Sequence, residues 1–534
     1  MKYSKKVTAL GLAALCVLAA GCSGGKTASK GEFTTTGEYP MNTDVELRVW
    51  QRFTPKNFLS SMNDSNFRKY LSEATGVNFT IESPPVGSEE EAFNLMLASD
   101  NMPDIIMYGG WRQPKAGEWL ESGAITALDE YIDGGVMPNL KKIFDDNKDY
   151  KKLAETLDGR TFYAPMFLGD DILKSYKTYI IRQDLLDRAG QEQPVTIDEW
   201  EKVLTKFKSM GIKAPLTLDI TSYSLREGSM FLSCFNTIAD FYQENGKVKF
   251  GMSEKAFGDW IRKMNSWYKA GLLDKEFTDQ TSSRISQMVT TGECGALYAN
   301  VGGGLGTYLS AIKPESGIKL APAKVPSASK DKKAMYNQTQ FNVHSAGAVI
   351  SGTCKNKEIA ARFIDFGYSE AGQLIWNFGK EGESYTWAED ENGEKYPKYT
   401  EALTDPAKRP EGASLGQVLS LYANVGNPVS VQSKWYLLQV NNTPEQRLAL
   451  EYANDTDCEK YLLPPILFGT DDFSNVNDKM TAIYTYIDEA IVKLITGRTE
   501  LESGLADYYA TLGKMGINEV KEEYQKAYDA YLKR

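Results

Sequence analysis

Val45-Glu46-Leu47-Arg48-Val49-Trp50 alternates apolar and polar side chains, the period of a half-buried strand. A helical pattern follows over 64–75, with Asp64 as its expected N-cap and Gly76 closing it. Asn78 to Glu82 read as a second strand, Pro84-Pro85-Val86-Gly87 as a turn, and 88–99 as a second helix. Pro103-Asp104-Ile105-Ile106-Met107-Tyr108 is more continuously apolar, as a central parallel strand should be. This β-α-β-α-β run predicts an α/β unit built on a parallel sheet.

The mixture recurs downstream. Strands are predicted at 178–182, 295–299 and 346–350, and helices at 183–190, 194–210, 254–270 and 356–368. From about 475 the chain reads as mostly helical. Trp200, Trp260 and Trp267 fall on amphipathic helices and are expected in the core. Asp184 is expected to cap its helix, and Arg182 to serve either structure or ligand. No internal repeat is visible.

The N-terminus breaks this pattern. Lys2, Lys5 and Lys6 precede an apolar run from Val7 to Ala20, shorter than the roughly 20 residues of a membrane span. Ala19-Ala20-Gly21 then stands before Cys22, the arrangement of a bacterial lipoprotein signal, although Leu is more usual at the place of Ala19. An ordinary secretory signal is the alternative. The expectation is that residues 1–21 are removed and Cys22 is lipidated, for instance palmitoylated. Residues 22–40, rich in Ser, Gly, Thr and Lys, then tether the protein to the outer face of the cell membrane.

With 534 residues the chain is too long for one core, and 42% hydrophobic with 25% charged is ordinary for a globular protein. A net charge of −11, before the signal's lysines are lost, argues against nucleic acid as a partner. Cys234, Cys294, Cys354 and Cys458 lack metal-site spacing and are expected to be buried free thiols, though disulfides stay open. His344, the only histidine, lies beside a strand-like run and reads as structural. Gly302-Gly303-Gly304-Leu305-Gly306 lacks phosphate-loop spacing and reads as a turn.

Several segments together resemble the extracellular solute-binding proteins of ABC importers, in the large group linked to carbohydrate uptake. They are Phe93 to Ile106, Ile125 to Ile132, Asp158 to Pro165, Trp267 to Asp274 and the Gly379-Lys380-Glu381-Gly382 loop. The most specific is Tyr179 to Gly190 followed by Pro194 to Trp200. The resemblance implies a two-lobed α/β fold with several hinge crossings and ligand held between the lobes. Crossings are expected near 176–183, 294–301 and 345–351. One lobe should then hold 41–178 plus 300–345, the other 180–294 plus 350–534. Many members of the large subgroup carry a calcium loop after the helix beginning near Thr196. Lys208 to Pro215 lacks the acidic oxygens for it, so no metal or other cofactor is expected.

A sugar site needs aromatic platforms with carboxylates, amides or arginine for the hydroxyls, gathered beyond the carboxyl ends of strands. Trp50 and Arg52 end the first strand, with Gln51 and Phe53 beside them, and Tyr108 and Trp111 end the third. Phe167, Asp170, Tyr298 and Asn300 follow other predicted turns and strands. Trp376, Glu381, Tyr385 and Trp387 surround the Gly382 loop, where the resemblance makes Glu381 a hydroxyl acceptor. The expected function is a monomeric, non-enzymatic receptor that hands an oligosaccharide to a membrane permease. A peptide or other solute as cargo, a surface glycan-acting enzyme, and a module reporting ligand to a membrane sensor are the alternatives.

Overall fold

The structure is a computed structural model that describes residues 38–111, 116–411, 413–426, 429–466 and 470–534. The signal segment, Cys22 and most of the tether lie outside the described residues. In chain order the strands are β1 (Glu46–Gln51), β2 (Asn78–Glu82), β3 (Ile105–Tyr108), β4 (Ala164–Leu168), β5 (Lys177–Arg182), β6 (Phe241–Glu244), β7 (Lys247–Phe250), β8 (Ala296–Asn300), β9 (Leu320–Ala323), β10 (Val343–Ile350), β11 (Tyr385–Glu389), β12 (Lys395–Tyr399) and β13 (Val431–Gln432).

Two hydrophobic cores divide the chain into two lobes. The first is built on a six-stranded sheet of order β13-β4-β10-β3-β1-β2. β1 pairs in parallel with β2 and β3, as the opening β-α-β-α-β pattern predicts, whereas β10 lies antiparallel between β3 and β4. The intervening helix Asn66–Thr75 is capped by Ser65 rather than Asp64, the Ser65 hydroxyl accepting from Arg68 N–H. It ends at Gly76, whose φ of 73° suits glycine and whose missing Cβ leaves room for the Met41 carbonyl.

The second lobe holds the sheet β8-β5-β9, antiparallel throughout. The helix Ile197–Ser209 opens with a capping box between Thr196 and Glu199 and buries Trp200. Trp260 and Trp267, on Lys255–Ala270, are fully buried as expected, packed beneath Thr470–Thr496. Asp184 does not cap its helix. Both its oxygens take the Arg182 guanidinium at 2.7 Å, and Oδ1 also accepts from Lys319 N–H, so Arg182 is a structural residue. The four described cysteines are free, and Cys294, Cys354 and Cys458 are buried.

The expected partition between lobes needs correction. β8 and β9 flank β5, which keeps 300–323 in the second lobe. β10 joins the first-lobe sheet, and the helices Lys357–Phe366 and Glu370–Phe378 pack into the same core. The reason lies in where the chain crosses. β8 stays inside one sheet and is not a crossing, and 345–351 is already inside the first lobe.

The crossings are residues 169–176, 338–342 and 441–443, the last between the helices Lys434–Val440 and Pro444–Asn454. The first two are hydrogen-bonded together: Leu168 N–H donates to Asn342 O at 2.7 Å and Gln340 N–H to Lys174 O at 3.0 Å. Arg447 holds the third by donating from Nε to Asn441 O at 2.7 Å.

A further contact joins the lobes. Leu157 packs against the second core, Arg534 pairs with Glu155 and donates to Thr156 O at 2.9 Å, and Lys152 Nζ lies 4.6 Å from the Tyr531 ring centroid.

Asp365 is fully buried and accepts from Asn139 N–H, Asn139 Nδ2 and Leu140 N–H at the start of the helix Pro138–Asp146. Burial pushes its carboxyl up to about 6 despite these donors. The folded state therefore holds the Asp365 proton more tightly than the unfolded chain, whose Asp titrates near 3.9. Its contribution is greatest in acid and is lost as pH rises from about 4 to about 6, roughly 3 kcal/mol in all. In urea unfolding at pH 4 and pH 7, Asp365→Asn should remove that component from the pH profile. An equal difference from wild type at both pH values would show that the carboxyl is not shifted.

Candidate functional site

The carboxyl ends of β1 and β3 lie at the end of the first sheet where β4 leaves for the second lobe. In the second lobe, β8 and the segment 214–218 run parallel toward the crossings and end at Asn300 and Asp219. The strand ends of both lobes thus open on the space beside the crossings, where an α/β fold places its ligands.

Six of the twelve expected site residues, all aromatic, are buried instead. Trp111 is 0% exposed. Its backbone N–H donates to Ser345 O, and its indole N–H to Gly347 O at 3.2 Å, so the chain after β3 continues along β10 and carries the ring into the core. Trp50, Tyr108 and Phe93 complete that cluster, with Phe93 stacked on Tyr108 at 4.2 Å. Trp376 packs edge-on against Phe67 at 4.9 Å, Phe167 lies under Tyr150 at 5.6 Å, and Tyr385 is 4% exposed beside Phe378. These six rings fill the first lobe and offer no face to a solute. His344 is structural as expected, its Nδ1 accepting from Ala346 N–H at 2.8 Å.

The other expected residues keep polar surface. Arg52 is half-buried over the Tyr108 ring. Tyr298 is half-buried, donating to Asn337 Oδ1 at 2.8 Å, while Asn300 is exposed at the end of β8. Glu381 is exposed, but the acid that fixes its loop is Glu383, which accepts from Tyr70 Oη at 2.6 Å and pairs with Lys380 at 3.0 Å. Trp387, 46% exposed, stands on the β11–β12 hairpin.

One concavity borders the crossings and another lies at the end of β1. One, of about 540 Å³, is lined by Tyr150, Asn342, Asp146, Asp170 and Asp171, with the edge of Phe167 in its wall. Asp170 Oδ1 there accepts from Ile172 N–H, leaving Oδ2 for a hydroxyl donor. The other, of about 280 Å³, lies at the end of β1 between Arg52, Phe53, Lys56, Asn424 and Tyr436.

Sequence reasoning missed Tyr223. It is 68% exposed on the short helix Ser222–Gly228, beyond Asp219. Below it Tyr176 Oη donates to Glu227 Oε1 at 2.9 Å, and Lys177 pairs with the same carboxylate. An exposed ring beside carboxylates suits the apolar face and hydroxyl rim of a sugar. The only sequence signal was the N-cap Thr221 at the end of an apolar segment.

A family model described as bacterial extracellular solute-binding protein matches residues 60–374. The chain belongs to this family. A second model, for a domain of unknown function, matches residues 468–533 of this solute-binding protein. The fructooligosaccharide ABC transporter substrate-binding protein FusA of Streptococcus pneumoniae is 24% identical over 563 aligned residues, covering 99% of this chain and 98% of the relative. The polygalacturonan/rhamnogalacturonan-binding protein YtcQ of Bacillus subtilis is 23% identical over 44% of this chain and 46% of its own. Among solved structures, the alginate-binding protein AlgQ2 without calcium superposes with a TM-score of 0.72 at 24% identity, covering 92% of this chain and 100% of that one. FusA in complex with kestose superposes with a TM-score of 0.71 at 21% identity, covering 91% and 99%. The two-lobed fold is therefore that of the family.

The calcium loop that the resemblance implies for many members does not fit the residues present here. At its place Lys208 Nζ donates to Ala270 O, Ser209 Oγ donates to Lys206 O, and Lys213 pairs with Glu293 at 2.8 Å. The segment supplies two ammonium groups and no carboxylate of its own, where a divalent cation would need oxygen ligands.

Proposed function

We propose that this solute-binding protein captures an oligosaccharide between its lobes and delivers it to the membrane permease of an ABC importer. The end-to-end similarity to FusA, a fructooligosaccharide-binding protein, carries this reading. Tyr223, Asp219, Asn300 and Trp387 on open surface, with the Asp170 concavity, are the chemistry a sugar would use. Lipidation at Cys22 holds the monomer at the outer face of the cell membrane, and no reaction is performed on the cargo. Capture works by binding the closed arrangement of the lobes more tightly than the open one.

Thermal unfolding of the purified protein against a panel of oligosaccharides, peptides and simple solutes tests the reading. A ligand at 100-fold excess over its Kd adds about 2.7 kcal/mol of stability. Stabilisation by one glycan class, with the glycan recovered intact, is expected. A response to peptides alone overturns the cargo, and recovered fragments overturn the binding role.

Tyr223→Ala should weaken binding of that glycan about tenfold, since it removes one exposed stacking face. Its stability should stay within about 0.5 kcal/mol of wild type, because the ring is mostly in water. Calorimetric titration beside a denaturation curve separates the two effects; unchanged affinity would remove Tyr223 from the site.

A further inference from the structure

The concavity at the end of β1 is lined by two cations in a chain of net charge −11. Its lining includes Arg52 and Lys56 and contains no aspartate or glutamate. Its floor is neutral and self-satisfied: the buried amides of Gln51 and Asn424 bond reciprocally at 2.8 and 3.3 Å. Arg52 Nε is buried there and finds no hydrogen-bond partner among the described residues, and its guanidinium carbon stands 4.9 Å from the Tyr108 ring centroid. A buried donor left unsatisfied is costly, and the cost is removed when an acceptor arrives. Lys56 Nζ reaches Thr54 O at 3.3 Å and the Phe53 ring at 4.7 Å, and forms no ion pair among the described residues. Burial pushes its ammonium below the usual lysine range. The carboxylate that senses Arg52 is Glu89, but Glu89 Oε2 accepts from Gly87 N–H at 2.8 Å and makes no ion pair with Arg52. The 540 Å³ concavity, by contrast, carries Asp146, Asp170 and Asp171.

We propose that Arg52 and Lys56 form a subsite for a carboxylate on the bound glycan, that is, for a uronic acid residue. This rests on the carbohydrate reading above and narrows it. A guanidinium presents parallel N–H donors that match a planar carboxylate, and the lysine adds a point charge beside it. Phe53 and Tyr436 border the same cavity and give the sugar ring apolar walls. A volume of about 280 Å³ suits one such residue.

The test is calorimetric titration of the whole protein with homo-oligomers of galacturonate, mannuronate and glucuronate, two to four residues long. Each is paired with its carboxyl-reduced neutral counterpart and with a sulfated neutral oligomer. At least one uronate is expected to bind tenfold or more tightly than its neutral partner, with affinity falling as salt rises. Arg52→Gln and Lys56→Gln should each erase most of that preference while leaving the melting temperature of the free protein unchanged. Equal binding of the charged and neutral members, or tighter binding of the sulfated one, overturns the carboxylate subsite. So does retention of the preference in both variants. Binding of neutral glycans alone overturns the subsite and leaves the carbohydrate reading standing, whereas binding of no glycan removes both.

Discussion

Replacing Trp111 with alanine is expected to lower the stability of the protein by about 3–5 kcal/mol and to leave the affinity for ligand within about twofold of wild type. The indole is 0% exposed and touches Phe93, Tyr108 and Trp119 with ring centroids 5.6–5.7 Å apart. Its removal opens a cavity in a cluster that relaxes only in part, and it leaves the Gly347 carbonyl without the indole donor. Urea unfolding gives the first quantity and titration with the captured glycan the second. A large loss of affinity with unchanged stability would instead return Trp111 to the cleft.

A chain ending at residue 466 should not fold its second lobe. The segment beyond it matches a domain of unknown function, yet its helices are a layer of the second core. Ile483, Ile487, Ile491, Leu494, Tyr508 and Leu512 are each at most 2% exposed and pack with Trp260 and Trp267. Asn265 Nδ2 donates to Leu494 O and Ile495 O, and Tyr508 Oη donates to Met252 O. At about 1.5–3 kcal/mol per buried apolar side chain, the loss exceeds the roughly 5–15 kcal/mol that holds a folded protein together. Circular dichroism should show no cooperative melting of that lobe, and limited proteolysis should cut within 177–323. A truncated protein that melts cooperatively as one unit would show the helices to be an appendage.

The elements whose period matched their surroundings were legible in the sequence. β1, β3 and the helices carrying Trp200, Trp260 and Trp267 stand where alternation and helical period place them, whereas the caps expected at Asp64 and Asp184 do not form. Partition between lobes was not legible, because it depends on which strands pair. An apolar run such as 346–350 looks the same whether it crosses a hinge or inserts between β3 and β4. The fate of the aromatics was hidden for a related reason. Trp111 and Arg52 both follow strand ends, and only the continuation of the chain along β10 buries the first while the second keeps a cavity. Tyr223 lacked any periodic context, since its helix is two turns long.

The contact of Arg534 with residues 155–156, together with Lys152 against Tyr531, is a fourth attachment between the lobes beside the three chain crossings. Crossings are covalent and bend, whereas this attachment must break before the lobes part at that point. Lobes that part at this point give up an ion pair, a hydrogen bond and a cation–π contact. The pair Glu155 and Arg534 is thus a latch that can release, unlike the three covalent tethers beside it.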